Sequence, residues 1–363
     1  MEASQTRREF IKLAGAATLA VTALPVHAED KKMTVAFVGV AHIHTPSYLK
    51  LVKQRPDVQI KYVWDHDAER AARRAKEVDA QVTPDAKTIW SDPEVSAVII
   101  LSETNRHHDL VLAAAGAGKH MFVEKPLGIS ARESREMADA IEKAGVHFTT
   151  GYFMRTDAKN LFLKSQIDAG NFGTITRVFA SNCHNGSLGG WFDTEWRWMA
   201  DPKIAGVGAF GDLGTHQLDI LMWLLGDIES VTAEIRPVTH RYGDCDETGQ
   251  ALIRFKSGVF GTLAAGWVDV SDPVKLLISG TEGNAVLVND QLFYHSQKVH
   301  GSDSRKAWTE FPPAGKAPMN QFFDAVAGAK DQPLVAPHEA AARVTAMEAM
   351  YSAAREQKWV KVS

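Results

Sequence analysis

Asp212 and His216, in the run Gly211-Asp212-Leu213-Gly214-Thr215-His216, stand four residues apart in a stretch whose apolar residues recur at helical spacing. The spacing predicts a helix over 209–224, which puts the carboxylate and the imidazole on one face. An imidazole takes or gives a proton near neutral pH, and a carboxylate beside it fixes its tautomer and raises its pKa. Taken alone, the pair also fits an ordinary helical hydrogen bond. A lysine brought to the same pocket would complete an acid/base trio. Glu124-Lys125-Pro126 offers one far upstream, where the apolar run HMFV ends.

The elements that must position these groups read as two halves. MTVAFVG is a buried-strand run that ends at Gly39 and leads into the helical stretch AHIHTPSYLKLVKQ. Strand, glycine turn and helix are the layout of a pyrophosphate site, where backbone N–H groups at the helix start meet phosphates. Gly39, Ala41, His42 and His44 would then contact the cofactor, although Ala41 and His44 occupy positions where this fingerprint has glycine. The next strand, QIKYVWD, ends in Asp65, the place for an acid that holds a ribose 2′-hydroxyl and repels a 2′-phosphate. That favours NAD, with NADP second. Asp65 equally fits as the cap of the helix AERAARRAKEV, with His66 softening its charge. The units VSAVIIL/HHDLVLAAAGAG and HMFVEKP/ARESREMADAIEKAG, then HFTTGYF, continue the alternation. They imply a doubly wound parallel sheet with its ligand at the carboxyl ends of the strands, where Glu124 and Lys125 fall.

From Met154 the pattern changes to a helix (AKNLFLKSQIDAG), a strand (TITRVFASN), a Gly/Trp-rich loop at 182–208, and the helix bearing Asp212 and His216. ESVTAEIRP, TGQALIRFK, VFGTLAAGWV, VKLLISG and NAVLVN follow as serial strands with short turns, which suggests a largely antiparallel sheet. HEAAARVTAMEAMYSAAREQ is a closing helix. The expected fold class is therefore α/β: an N-terminal Rossmann-type parallel sheet (33–153) and a C-terminal α+β domain with a large, mostly antiparallel sheet (154–363).

The chain has 363 residues, of which 45% are hydrophobic and 23% charged, ordinary for a soluble globular protein with two substantial cores. A net charge of −4 gives no electrostatic footprint for nucleic acid or an anionic membrane, so a small-molecule ligand is expected. Residues 1–28 read as a leader: Thr6-Arg7-Arg8-Glu9-Phe10-Ile11-Lys12, then LAGAATLAVTAL, then Val26-His27-Ala28 with small residues for cleavage after Ala28. The paired arginines resemble the twin-arginine (Tat) signal, whose machinery exports folded proteins. An apolar run of about a dozen residues is too short to span a bilayer comfortably, so a periplasmic protein with no membrane attachment after processing is expected. Cys183 and Cys245 are the only cysteines and are read as two separate thiols.

Two longer motifs, AGKHMFVEKPLG at 117–128 and WRWMADPKIAGVGAFGDLGTHQLDILMWLLG at 196–226, resemble the Gfo/Idh/MocA family of glucose-fructose oxidoreductase, inositol dehydrogenase and MocA proteins. Lesser matches are Thr104-Asn105-Arg106-His107-His108, Gly151-Tyr152 with Arg155, and Gly280 to Gly283. The resemblance implies that Lys125 is the catalytic lysine, Asp212 the aspartate that orients substrate, and His216 the acid/base histidine. It implies cofactor contacts for Gly39, Asp65, Asn105, His108, Glu124, Trp196 and Arg197, and puts Arg155 near the substrate pocket. A homodimer or homotetramer is implied by the way such proteins assemble through the second sheet. The sequence departs from the family at Ala41 and His44 and at Glu103-Thr104-Asn105, where a proline is usual, which bears on cofactor geometry.

The implied activity is hydride transfer between a tightly bound NAD and the hydroxyl or carbonyl of a sugar or polyol. Outside the cytoplasm no NAD(P)H pool recharges a free cofactor, so a ping-pong cycle that oxidises one sugar and reduces another is expected. A redox-neutral epimerase or NAD-dependent glycosidase working through a keto sugar is the alternative, and a non-catalytic sugar-binding protein a further one. No metal is expected, because the pair His42 and His44, even with His107 or His108, lacks a third acidic or thiol ligand. Trp191, Trp196 and Trp198 fit either as apolar faces for a pyranose ring or as loop packing.

Overall fold

A computed structural model describes residues 32–363; the leader at 1–28 and its cleavage after Ala28 lie outside the described residues. The apolar runs of the first half form strands β1 (Met33–Val40), β2 (Val58–Trp64), β3 (Gln81–Val82), β4 (Val95–Leu101), β5 (His120–Val123) and β6 (Phe148–Thr150). β1 and β4 are buried along almost their whole length, as strands covered on both faces must be. All pairs are parallel and the order is β3-β2-β1-β4-β5-β6, so the chain reverses direction across the sheet between β1 and β4. That reversal opens a crevice at the carboxyl ends of the strands, where Gly39 lies near the end of β1, and Ser102 and Glu124 follow β4 and β5.

The second sheet contains β7 (Ile175–Cys183), β8 (Ile228–Arg236), β9 (Thr248–Phe255), β10 (Phe260–Gly266), β11 (Val274–Gly280), β12 (Gly283–Val288), β13 (Gln291–Ser296) and β14 (Val360–Lys361). Its order is β13-β12-β11-β7-β10-β9-β8-β14, antiparallel except where β10 runs parallel to β7 from Phe260 opposite Arg177 to Gly266 opposite Cys183. β9 alternates buried and exposed residues, so one face of this sheet meets solvent. The other face is covered by the helix Ala209–Leu225, which packs on β7, β9 and β10. No helix of the described residues is long and apolar enough to cross a membrane.

The end of the chain returns to the first sheet. Helix Pro318–Val326 inserts Met319, Phe322 and Phe323 into the core that holds Phe37 and Phe122, and helix Pro337–Glu356 adds Ala340, Ala341 and Val344 to the core around Met137 and Ile141. These helices join the packing of the two halves, and Lys32–Ser363 forms one compact unit.

The start of the Ala209–Leu225 helix is fixed from a distance. Its N-cap, Gly208, has no side chain, and a Cβ there would stand 2.3 Å from Asp246 Oδ1. Asp246 supplies the cap instead: Phe210 N–H donates to its Oδ2 at 2.8 Å and Ala209 N–H to its carbonyl oxygen at 3.0 Å. Tyr351 Oη accepts from the N–H groups of Gly208 (3.1 Å) and Gly211 (3.0 Å) and donates to Asp246 Oδ1 at 3.0 Å. Asp246→Ala is expected to cost about 2 kcal/mol and Tyr351→Phe about 1 kcal/mol. Urea unfolding measures both, and an unchanged midpoint for Asp246→Ala would show that the helix start stands without this cap.

Candidate active site

The first turn of the capped helix presents Asp212 and the second presents His216, both facing the residues that follow β5. Lys125 Nζ donates to Asp212 Oδ1 at 2.7 Å, with the Lys125 side chain buried, and Trp267 Nε1 donates to Asp212 Oδ2 at 3.2 Å. The carboxylate is thus engaged by a lysine and an indole rather than by the imidazole four residues on, as the helical spacing alone suggested. Burial works to raise the Asp212 pKa, and the Lys125 ammonium overcomes it, bringing the carboxyl down to about 2. His216 goes the other way from expectation. Burial and the nearby Lys125 and His44 push its pKa well below the ordinary histidine value, against the weaker pull of Asp212. Its Nδ1 is buried without a hydrogen-bond partner, and the half-exposed Phe153 ring lies 5.0 Å away.

At the crevice, Gly39 takes a left-handed φ of 77°, and a Cβ there would lie 2.4 Å from Ser102 Cβ. Only glycine lets β1 turn against β4 at this point. The loop beyond it does not form the expected open row of amides. Ala41 and His42 both donate to Leu101 O at 2.9 Å, His44 N–H donates to His42 Nδ1 at 3.2 Å, and Thr45 N–H to His42 O at 2.9 Å. The histidine side chains turn to Glu124 instead: His44 Nδ1 is 3.0 Å and His42 Nδ1 3.9 Å from Glu124 Oε1. The pair therefore does have an acidic neighbour, contrary to the sequence reading.

Asp65 also differs from expectation. Its Oδ2 accepts from Val40 N–H (2.7 Å) and Arg70 Nε (3.0 Å), and its Oδ1 from Asp67 N–H (2.9 Å) and Arg70 Nη2 (2.7 Å). Both oxygens are saturated and the side chain is buried, so none of its lone pairs faces a ribose hydroxyl. Nor does it cap the following helix; Asp67 does, accepting from Glu69 and Arg70 N–H.

A profile of the oxidoreductase family with an NAD-binding Rossmann fold matches residues 33–152, and one of the GFO/IDH/MocA C-terminal domain matches residues 161–286. The chain belongs to the Gfo/Idh/MocA family. Among its relatives, scyllo-inositol 2-dehydrogenase (NAD(+)) of Bacillus subtilis is 29% identical over 262 residues, 70% of this chain and 73% of that one. Levoglucosan dehydrogenase of Pseudarthrobacter phenanthrenivorans is 31% identical over 62% of this chain and 64% of its own length. The same fold is found in levoglucosan dehydrogenase solved with NADH and levoglucosan (TM-score 0.78, 21% identity, 91% of this chain and 99% of that one). It is found again in the WlbA dehydrogenase of Bordetella pertussis solved with NADH and UDP-GlcNAcA (TM-score 0.79, 19% identity, 92% and 98%).

In this Gfo/Idh/MocA chain Glu124 Oε2, Trp196 Nε1 and His216 Nδ1 are among the buried polar atoms of the described residues that have no partner. Buried polar groups are nearly always bonded, so orphaned atoms at the crevice fit the NAD that the family binds. Other expected contacts are directed elsewhere. Arg155 forks onto Asp219 at 2.8 and 2.6 Å, and Arg343 Nε meets the same carboxylate at 2.9 Å, a buried structural cluster rather than a substrate contact. His108 bonds Glu136 of the neighbouring helix at 2.9 Å instead of facing the crevice. Asn105 is exposed in the turn Thr104–Arg106, and the exposed Arg197 stacks over Tyr242 at 4.6 Å. Trp198 packs against the cofactor loop, donating to Ala41 O at 3.2 Å. Sequence reasoning passed over Trp267 and Asp246, whose local context carries no signal. Cys183 and Cys245 are free, as read, and burial pushes each thiol up to about 12.

His216 and His107 are both depressed, foremost by burial, so between their folded pKa values and the unfolded value near 6.5 the unfolded chain binds protons that the folded chain refuses. Stability is expected to fall as pH drops below about 6.5, and His107→Gln to flatten that fall in a thermal melt series; a flat wild-type profile would contradict it. Arg155→Met is expected to cost about 3 kcal/mol, by uncovering the buried Asp219 carboxylate, with KM unchanged in the surviving enzyme. A raised KM at unaltered stability would return Arg155 to the substrate.

Proposed function

We propose that this protein oxidises or reduces a CH–OH centre of a sugar or polyol with NAD, using His216 as acid/base, Lys125 to steady the substrate oxygen and Asp212 to hold Lys125. The observation that carries this reading is the 2.7 Å Lys125–Asp212 pair, with the unpartnered Nδ1 of His216 one helical turn away. The family supports the NAD-dependent oxidoreductase class, and the inositol and levoglucosan dehydrogenases among its relatives support the substrate class.

NAD held in the crevice would supply the hydride-transfer chemistry of the reaction. His216, kept neutral by burial, is ready to accept the hydroxyl proton as the carbonyl forms and to give it back in the reverse direction. Lys125 has ammonium protons beyond the one given to Asp212, and directs them at the oxygen where negative charge develops. Asp212 stays ionised and orients the lysine. The half-exposed Phe153 ring beside His216 offers an apolar face to a sugar ring. Gly39, His42, His44, Glu124 and Trp196 line the place where the cofactor is held.

The leader supports export by the Tat route to the periplasm, after which a cofactor must remain bound and return to its starting state in each cycle. A ping-pong exchange between two sugars meets that requirement. Leu252 and Phe260, 45% and 57% exposed on the outer face of the second sheet, support a homodimer or homotetramer joined there.

Denatured wild-type protein analysed by mass spectrometry is expected to release near-stoichiometric NAD(H). A preparation that is free of nucleotide and does not take NAD up would remove the tight-cofactor reading. His216→Ala should lower kcat by a factor of about 10² to 10⁴ with the NAD content intact; a variant as fast as wild type would overturn the assignment of the base.

A further inference from the structure

We propose that His42, His44 and Glu124 form a binding site for a divalent first-row transition-metal ion, zinc being the first candidate. One ligand atom from each residue lies within 4.8 Å of the others, although 42 and 44 come from the loop after β1 and 124 from the end of β5. Two donors each about 2.1 Å from an ion and at a tetrahedral angle stand about 3.4 Å apart. The His44 and His42 Nδ1 atoms, at 3.0 and 3.9 Å from Glu124 Oε1, bracket that separation. The two rings are 4.6 Å apart and inclined at 63°, so they approach the carboxylate from different directions instead of stacking.

The charge at this point is also compatible with a cation, because the carboxylate is held in its ionised form. The Glu124 side chain is wholly buried, its Oε2 has no partner, and Lys125 directs its ammonium to Asp212. Buried carboxylates are paired or bind metal. The remaining groups facing Glu124 are the two imidazoles and the Tyr48 hydroxyl, none of which is a fixed positive charge. Binding requires His42 Nδ1 to give up the 3.2 Å contact from His44 N–H, and His44 Nδ1 to exchange its 3.0 Å hydrogen bond with Glu124 for the ion. Two imidazoles and one carboxylate suit Zn²⁺, and also Mn²⁺, Fe²⁺ or Co²⁺, and leave coordination positions open. The loop whose amides are turned onto Leu101 would thus gain a positive charge from the ion.

The test uses the untagged full chain stripped with chelator and titrated with Zn²⁺ by calorimetry and with Co²⁺ by visible absorption. One equivalent should bind, with Co²⁺ ligand-field bands saturating at the same ratio. His44→Ala, which changes a half-exposed residue at a helix start and leaves the core intact, should weaken binding by about tenfold or more, and Glu124→Gln at least as much. His338→Ala, at the exposed cluster with Asp139 and Glu142, should leave it unchanged. The proposal is overturned if wild type takes up no stoichiometric ion, if His44→Ala binds as tightly as wild type, or if His338→Ala abolishes binding. These readouts do not depend on turnover, so they stand or fall apart from the proposed reaction.

Discussion

An ammonium group and a carboxylate, both withdrawn from water, must meet at 2.7 Å between the end of a parallel strand and the start of a helix that belongs to a different sheet. An ion pair in such surroundings is favourable only when its geometry is held and its remaining valences are filled. Much of the architecture answers that demand. β5 delivers Lys125 at the carboxyl edge of the first sheet, and Trp267, just beyond β10, fills the second oxygen of Asp212. Asp246 and Tyr351 fix the helix origin, and farther along the same helix Asp219 is gripped by Arg155 and Arg343. Asp212, Asp219 and the capped start of this one helix are tied to neighbouring strands, loops and helices, so it has little freedom to rotate away from Lys125.

Periodicity and motif spacing made the parallel sheet, the helix over 209–224 and the convergence of Lys125, Asp212 and His216 legible, because each rests on a regular local pattern or on a long motif. What escaped depends on contacts between residues far apart in the chain. Asp65 ends its strand as a ribose-binding acid would, yet Arg70 one helical turn into the next element saturates it. Gly208 reads as a weak helix start because its capping group lies far along the sequence at Asp246. Arg155 sits in a family motif, but its partners, Asp219 and Glu339, are fixed only when the last long helix packs.

The loop after β1 exchanges one means of handling charge for another. A glycine-rich turn offers oriented amides, whereas here Leu101 O takes two of them and the side chains of His42 and His44 face the crevice with Glu124. Gly39 is kept, since the approach to Ser102 leaves no room for a side chain, while Ala41 and His44 occupy positions where nothing in the packing requires glycine. The glycine that strand contact demands is present, and the other two positions of the fingerprint carry Ala41 and His44.

The return of the chain end to the first sheet has a bearing on how the protein is made. Synthesis runs from the amino terminus, so β1 to β6 leave the ribosome well before Met319, Phe322 and Phe323, which complete their core. The first sheet is thus sealed only after β7 to β13 have been made, and its apolar face stays open to chaperones until the helices Pro318–Val326 and Pro337–Glu356 emerge. Termination between β13 and the helix Pro318–Val326 would release a polypeptide with all strands of the first sheet, a second sheet lacking only β14, and the core of the first sheet uncovered.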